Sequence, residues 1–264
     1  MDINSVGLSA NQHSNVSSAS SKISSGTAVN SAADSPSAIA LIGQFDSQIN
    51  GNNVAHSNII NGISAIQTAQ GGLSSITDSL HQLRELGIQA GNGALNANDR
   101  AAIQNEANEL LNGIKDIIQT SQFNNQSLLN NEDSLSLQTG SQQGQTQSIA
   151  TTNLNEAFTS ANLYSASFSA QNISDTLNSI DKALDITEKV TSKYASAQIG
   201  LEFSAKNLTN QSLNHSASRS LIEDTDYASA ITELYQQQVQ EDVEITILAQ
   251  ANANRSQVLQ LLDL

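Results

Sequence analysis

The side chains that usually perform chemistry in proteins are present in this sequence, but not in the arrangements that chemistry requires. The histidines are scattered, and none has the His-Glu-x-x-His spacing of a zinc protease. There is no Gly-x-Ser-x-Gly sequence to expose a nucleophilic serine, and no cysteine to form a disulfide or bind a metal. We therefore expect no catalytic residue, no metal site, no cofactor and no enzymatic activity. The histidines are His13, His56, His81 and His215.

Three acidic residues beside Tyr227 are the nearest approach to a cation site. They are Glu223, Asp224 and Asp226. Negative charge is also favourable at the N-terminus of a helix, where the first backbone N–H groups are unpaired. We favour this second interpretation, in which the acidic residues cap and begin the last helix.

The composition excludes several classes of partner. A formal net charge of -15 leaves no basic patch for nucleic acid and disfavours an anionic membrane surface. The sequence has no run of about 18 apolar residues, so we expect no membrane insertion. A single proline permits long helices. A polar surface made mostly of uncharged side chains suits a protein that packs against copies of itself.

The elements that must position any functional surface are organised around residues 57–90. Apolar residues recur there every seven positions, which predicts a helix with one narrow apolar seam. Such a helix is unstable alone and needs a partner with a matching seam. The seam consists of Ile59, Ile66, Leu73, Ile76, Leu80 and Leu83.

Similar spacing predicts further helices before and after this seam. One begins near Ala38 and runs on into the seam, and another begins near Ile173. A third covers 99–119, with Asn98 or Asp99 as its N-cap. The last helix extends to the end of the sequence. Its expected packing residues are Ile231, Leu234, Ile245, Leu248, Leu259 and Leu262.

The middle of the chain departs from the helical period. Residues 134–139 and 145–151 alternate between polar and apolar side chains, with glycines between the two runs, which predicts a β-hairpin. Residues 155–170 are expected to form a loop or a short strand.

The two ends of the chain are the segments least able to form their own core. Residues 1 to about 35 are rich in Ser and Asn, which compete for backbone hydrogen bonds. Two interpretations remain open for them: disorder in the monomer, or a helix that orders only on meeting partners. Antiparallel pairing of the ends would give each a partner. The predicted fold is mainly α, a long antiparallel helical bundle or coiled coil with the N- and C-terminal helices paired, plus a small central β-hairpin region.

Seven stretches resemble signatures of the bacterial flagellins, and they occur in the order typical of that family. They are SKISSG (21–26), VNSAAD (29–34), NGISAIQTAQGGL (61–73), LREL (83–86), QFNN (122–125), SRSLIEDTDYA (218–228) and ILAQAN (247–252). The chain therefore resembles a short flagellin that lacks the family's variable outer domains.

The resemblance implies a structural subunit that self-assembles into the helical filament of the bacterial flagellum and serves motility. It implies that residues 1–39 and 226–264 pair as a coiled-coil domain lining the inner tube. Residues 40–225 would form a rod-like helical bundle, with a β-hairpin or loop segment at about 122–170. It also implies secretion by the flagellar type III export route, without an ordinary secretory signal, to the extracellular filament. The implied partners are other copies, an export chaperone at the C-terminal helix, and hook-junction and cap proteins.

In some flagellins the segment matching residues 83–88 is recognised by the animal innate flagellin receptor. By resemblance, Leu86 and Glu106 match positions used there, whereas Gln82 stands where receptor-active members carry an arginine. Loss of a central arginine can remove a binding hot spot, so we expect weak or absent recognition. An alternative is that the leucines of this segment serve only packing. The expected receptor or assembly surface consists of Gln82, Arg84, Glu85, Leu86 and Glu106.

Two other functions remain open from the sequence. A flagellar hook–filament junction protein shares the terminal signatures, and a secreted coiled-coil adhesin would share the helical seams. Polymerisation separates the three, because only a filament subunit is expected to form long helical filaments from monomers.

Overall fold

The computed structural model describes residues 3–262, and it describes side chains for residues 14–254 and 257. Within this range the chain is mainly helical, with two small antiparallel pairs of strands. In chain order the elements are α1 (Ile3–Ser25), α2 (Pro36–Ala90), α3 (Ala97–Thr120), β1 (Gln122–Phe123), β2 (Gln126–Ser127), β3 (Ser134–Gln138), β4 (Thr146–Ala150), α4 (Leu154–Ser160), a 3-10 turn (Leu163–Ser165), α5 (Ile173–Glu223) and α6 (Tyr227–Leu262). The predicted fold class is confirmed.

Helix α2 joins two predicted helical stretches into one element of 55 residues. It begins at Pro36, a position where the missing N–H of proline has no cost. The Ser35 hydroxyl oxygen accepts a hydrogen bond from the N–H of Ala38 at 3.3 Å. The helix ends in a turn in which the N–H of Gly91 reaches back to the carbonyls of Gly87 and Ile88.

Helix α3 begins at a capping box centred on Asn96. The Asn96 side chain accepts hydrogen bonds from the N–H groups of Asn98 and Asp99 at 2.8 and 3.0 Å. Asp99 in turn accepts from the N–H of Asn96 at 3.1 Å. The prediction of Asn98 or Asp99 as the N-cap is therefore wrong, because Asp99 is the reciprocal partner three residues into the helix.

The described chain divides into two compact units, of which one is Asn50–Ser212. Its core lies along the α2 seam, which packs against α3 and α5. Helices α2 and α5 run antiparallel, since Leu177 of α5 lies against Gly87 and Leu201 lies against Gly62. The seam thus finds its partners within the same chain.

The predicted β-hairpin is present as β3 and β4, paired from Ser134 with Ala150 to Gln138 with Thr146. It lies directly on α2. A β-carbon at Gly62 would overlap Leu137 of the hairpin, and one at Gly51 would lie 2.7 Å from the β-carbon of Ser141. Glycine at these positions lets the hairpin approach the helix backbone.

Residues 154–160 and 163–165 are helical rather than the predicted loop or short strand, whereas 166–170 form a loop as predicted. The Asn153 side chain caps α4 by accepting a hydrogen bond from the N–H of Glu156 at 3.2 Å. Phe158 and Leu163 are fully buried in the core. An element of two turns is too short to show a hydrophobic period, so the pattern gave no signal for it.

The second unit contains the chain up to Ile49 and the chain from Leu213 onward. Here α1 packs antiparallel against α6, and residues 3–25 are helical in this structure. The links that follow α1 and precede α6 are joined by an antiparallel bridge between Thr27 and Asp224. Arg219 of α5 forms a 2.6 Å ion pair with Asp46 of α2. That contact raises the pKa of the Arg219 guanidinium.

Candidate self-assembly surface

Helix α6 turns a mixed row of three apolar and three polar side chains toward α1. The members of this row follow each other at intervals of three and four residues, the spacing of one helix face. Ala230 is buried and the other five are half-buried. The row consists of Ala230, Leu234, Gln237, Glu241, Glu244 and Leu248.

Five other apolar side chains of α6 form a second row, which is exposed. They recur every fourth residue, which produces a continuous ridge on a helix surface. Their side chains are between 41% and 64% exposed. We call this row the α6 ridge, and it consists of Ile231, Tyr235, Val239, Val243 and Ile247.

Helix α6 therefore carries apolar side chains on more than one face, whereas an ordinary surface helix has one apolar face and buries it. On α1, Ala19 is buried and Val16 and Ile23 are half-buried, while exposed serines and the Glu241 side chain line a cleft beside them. The lining residues are Val16, Ser17, Ser20, Ser21, Ser24, Ser25 and Glu241. Contiguous apolar surface left exposed in this way marks an interaction site.

The predicted packing residues of the last helix differ in how far they are exposed. Leu234 and Leu248 are half-buried on the α1 side. Ile231 and Ile245 are 41% and 57% exposed. The side chains of Leu259 and Leu262 lie outside the described residues. Sequence reasoning missed the other four members of the ridge, although their four-residue recurrence could have been found.

The six residues of the α2 seam occupy the centre of the core. Each is no more than 1% exposed. The members are Ile59, Ile66, Leu73, Ile76, Leu80 and Leu83. They support the Asn50–Ser212 unit from within and offer no surface to another molecule.

The flank of α2 around Gln82 does not form one exposed surface with the other predicted residues. Gln82 and Glu85 are exposed, and so is Glu106 on α3. The Arg84 side chain is about half exposed and pairs with Asp181 of α5 at 2.9 Å. Leu86 is only 9% exposed and belongs to the core.

Of the three acidic residues beside Tyr227, Asp226 has the predicted role at the start of α6, whereas Glu223 is the last residue of α5. Asp226 accepts hydrogen bonds from the N–H groups of Ala228 and Ser229 at 3.0 and 3.3 Å and so caps α6. Glu223 pairs with Arg219 at 3.2 Å. Among residues 3–262, no group of three His, Cys, Asp or Glu side chains is placed to hold a metal ion.

None of the described helices contains an apolar stretch long enough to cross a membrane.

Paired terminal helices with an outward apolar ridge define a class of protein, the subunit of a self-associating helical assembly. Two family models match this chain: the bacterial flagellin N-terminal helical region at residues 3–134, and the bacterial flagellin C-terminal helical region at residues 177–262. A flagellin of Halalkalibacterium halodurans is 33% identical over 248 residues, which cover 91% of this chain and 89% of the relative. The chain belongs to the bacterial flagellin family.

Further relatives agree with this assignment. A 30.7 kDa flagellar filament core protein of Treponema maltophilum is 32% identical, over 91% of this chain and 90% of the relative. The crystal structure of Bacillus cereus flagellin matches with a TM-score of 0.53 and 22% identity, over 62% of this chain and 94% of that chain. This last match shows a shared fold.

As a flagellin, the chain is a structural subunit of the bacterial flagellar filament. The relatives above are named as a flagellin and as a flagellar filament core protein, which favours this function over the junction protein and the adhesin. They are matched over about nine-tenths of their own length, so the chain is a short form of the family that has no large outer domain.

Proposed function

We propose that copies of this chain polymerise through the α6 ridge, with the terminal segments forming the inner tube of the filament. In this proposal, residues 1–39 and 226–264 line the tube and residues 40–225 form the rod around it. The observation that carries the proposal is the exposed apolar α6 ridge. A helix that leaves an apolar row exposed beside its own partner has surface available for another chain.

The size of the ridge limits the binding free energy that one contact can supply. Its 17 residues span about 24 Å of helix. Complete burial of a large aliphatic side chain contributes about 1.5–3 kcal/mol, and these side chains are already partly covered. One ridge therefore supplies about 4–8 kcal/mol, close to the lower end of the cost of association. Each copy must make several contacts before a polymer is stable, and such a polymer needs a nucleus.

The ridge also favours an open polymer over a closed dimer. Rows at four-residue spacing pack into the grooves of a neighbouring helix at an angle rather than lying parallel to it. If the receiving grooves lie on a different surface of the next copy, the contact is heterologous. Heterologous contacts repeat without closing unless the rotation happens to complete a ring. The expected product is a helical filament.

The exposed ridge suggests how the subunit is handled before assembly. An export chaperone on α6 would cover the apolar row and prevent premature association. The hook-junction and cap proteins at the filament ends would meet the same surface. We assign the subunit to secretion by the flagellar export route, to the extracellular filament, and to no catalytic role.

Recognition by the innate flagellin receptor is proposed to be weak. Two features support this: Gln82 in place of an arginine, and a Leu86 side chain that is only 9% exposed. A receptor reporter assay on monomeric protein should give little signal, and the Gln82→Arg variant should give more. Strong signalling by the unaltered protein would contradict this part of the proposal.

The ridge is tested by replacing two of its valines. Val239→Ser combined with Val243→Ser should raise the critical concentration for polymerisation by about tenfold or more, since each tenfold corresponds to 1.4 kcal/mol. The matched control is Val54→Ser, because Val54 is 63% exposed and Val239 is 59% exposed. Circular dichroism should show the same monomer fold in all three proteins. Polymerisation of the ridge variant at the unaltered concentration would refute the proposal.

Removal of the chain from Ile231 onward gives a second test. The Asn50–Ser212 unit has its own core and should remain helical by circular dichroism. Sedimentation should find no polymer. Normal filaments from this truncated protein would remove α6 from the assembly contact.

A further inference from the structure

The sequence contains four Asn-Gly pairs, and one of them lies in a different secondary structure from the other three. Three pairs lie inside helices, and the fourth lies in the exposed turn between α2 and α3. The helical pairs are Asn50-Gly51, Asn61-Gly62 and Asn112-Gly113, and the pair in the turn is Asn92-Gly93.

The backbone around Asn92 is arranged like the start of a ring closure. The Asn92 side-chain carbonyl oxygen accepts a hydrogen bond from the N–H of Ala94 at 3.0 Å. This bond spans Gly93 and fixes the orientation of the Asn92 side chain relative to the Asn92–Gly93 peptide. The Gly93 N–H donates no hydrogen bond within the described residues. A side chain on Gly93 would meet nothing within 4 Å, so the approach is open.

We propose that Asn92 is the residue at which this protein deamidates, with water as the co-reactant. The Gly93 amide nitrogen loses its proton to a solvent base and attacks Asn92 Cγ, forming a carbon–nitrogen bond. The Asn92 Nδ2 atom takes up a proton and leaves as ammonia, so a five-membered succinimide remains. Water then opens either carbonyl of that ring, giving aspartate or isoaspartate at position 92.

The Ala94 N–H contributes to the slow part of this reaction. The oxygen that it contacts carries the negative charge that develops when the Gly93 nitrogen adds to Cγ. A backbone donor already in place at a developing oxyanion lowers the barrier. The Asn92 turn therefore supplies both an available nucleophile and a stabilised intermediate.

The helical pairs lack these conditions. In an α-helix each glycine N–H is bonded to the carbonyl four residues earlier. The nitrogen of Gly51, Gly62 or Gly113 cannot reach the preceding side chain until that turn of helix opens. Local opening has a free-energy cost that is higher in the core than at a turn.

Deamidation would change the contacts that hold the α2–α3 turn. The Asn92 backbone carbonyl accepts hydrogen bonds from the Leu95 N–H at 3.2 Å and from Arg100 Nη2 at 2.8 Å. Aspartate would add a negative charge beside Arg100. Isoaspartate would lengthen the main chain by one methylene and displace this carbonyl. Chemical ageing of the filament would thus be concentrated at one turn of each subunit.

The test compares the four pairs within one protein. Folded chain and urea-unfolded chain are incubated at mildly alkaline pH, digested, and the deamidated fraction of each peptide is followed by mass spectrometry. In urea the four sites should convert at similar rates. In the folded protein, Asn50, Asn61 and Asn112 should slow by more than about tenfold because the helix must open first. Asn92 should stay within a few-fold of its unfolded rate.

Two glycine-to-alanine variants, one in the turn and one in a helix, complete the test. A β-carbon at either Gly93 or Gly113 meets nothing within 4 Å, so both glycines can be replaced by alanine without a clash. Gly93→Ala should slow conversion of Asn92 in the folded protein, and Gly113→Ala should leave it unchanged. Protection of Asn92 equal to that of Asn61 and Asn112, or an unchanged rate in Gly93→Ala, would overturn the proposal.

Discussion

Helices α2 and α6 both carry apolar side chains at regular helical spacing, yet they use them in opposite ways. The α2 seam is at most 1% exposed, whereas the α6 ridge is 41–64% exposed. The seam meets α3 and α5 of the same chain. Helix α6 meets α1, and this pairing leaves the ridge exposed. The difference shows that regular apolar spacing predicts a contact surface, and that the neighbouring element decides whether the contact lies within one chain or between copies.

The largest expected difference between α2 and α6 comes from truncating one apolar side chain in each helix. Ile66→Ala should lower the free energy of unfolding of the monomer by about 2–5 kcal/mol, because it leaves a cavity in a closed core. Ile247→Ala, at a side chain that is 62% exposed, should change it by less than about 0.5 kcal/mol. Urea unfolding followed by circular dichroism measures both. Equal losses would mean that α6 is part of the monomer core.

Tyr194 tests whether the packing of α5 in the core depends on a buried hydrogen bond. Its hydroxyl donates a 2.6 Å hydrogen bond to the Leu128 carbonyl inside the core. Tyr194→Phe should lower the free energy of unfolding by about 1–3 kcal/mol, because that carbonyl is left unpaired.

The same residue gives a pH dependence. Burial raises the pKa of Tyr194 from 10.0 to about 12. The unfolded chain therefore ionises first, and the stabilisation by Tyr194 is complete below pH 10 and is lost as the pH rises toward 12. The stability difference between the unaltered protein and Tyr194→Phe should shrink over that interval. A constant difference would show that the hydroxyl is not the cause.

Asn52 continues the seven-residue spacing of the α2 seam toward the start of the helix, but its side chain is polar. It lies seven residues before Ile59, is 2% exposed, and neither side-chain amide atom has a hydrogen-bond partner in the described structure. Asn52→Leu should raise the free energy of unfolding by about 1–2 kcal/mol, since burial of an unpaired amide is unfavourable. The control is Asn53→Leu at the exposed neighbouring position, which should give no gain in thermal or urea unfolding.

The smallest effect is expected at the pair between Arg84 and Asp181. Both side chains are about half exposed. A double-mutant cycle with Arg84→Ala and Asp181→Ala should give a coupling energy below about 1 kcal/mol. That coupling should weaken further in high salt. A coupling as large as the loss in Ile66→Ala would place this pair among the main supports of the fold.

Much of the fold could be predicted from local patterns. The heptad spacing of Ile59, Ile66 and Leu73 required a buried helix face, and the alternation around residues 134–151 required paired strands. Both patterns repeat over several residues, so they can be recognised even where a single position departs from the pattern. Helix α4 and the Asn96 cap were missed, because each depends on one or two hydrogen bonds rather than on a repeating pattern.

The sequence by itself determined that this chain forms long helices with apolar rows, because helical period and composition are properties of the chain alone. It also determined the family, through motifs that keep their order. Only the tertiary structure decided which row of α6 faces α1, because burial depends on the neighbour that a helix meets. It also decided that Leu86 lies in the core and that Arg84 turns toward Asp181. Side chains on one helix share a period, but their surroundings are set by elements that lie far away in the sequence.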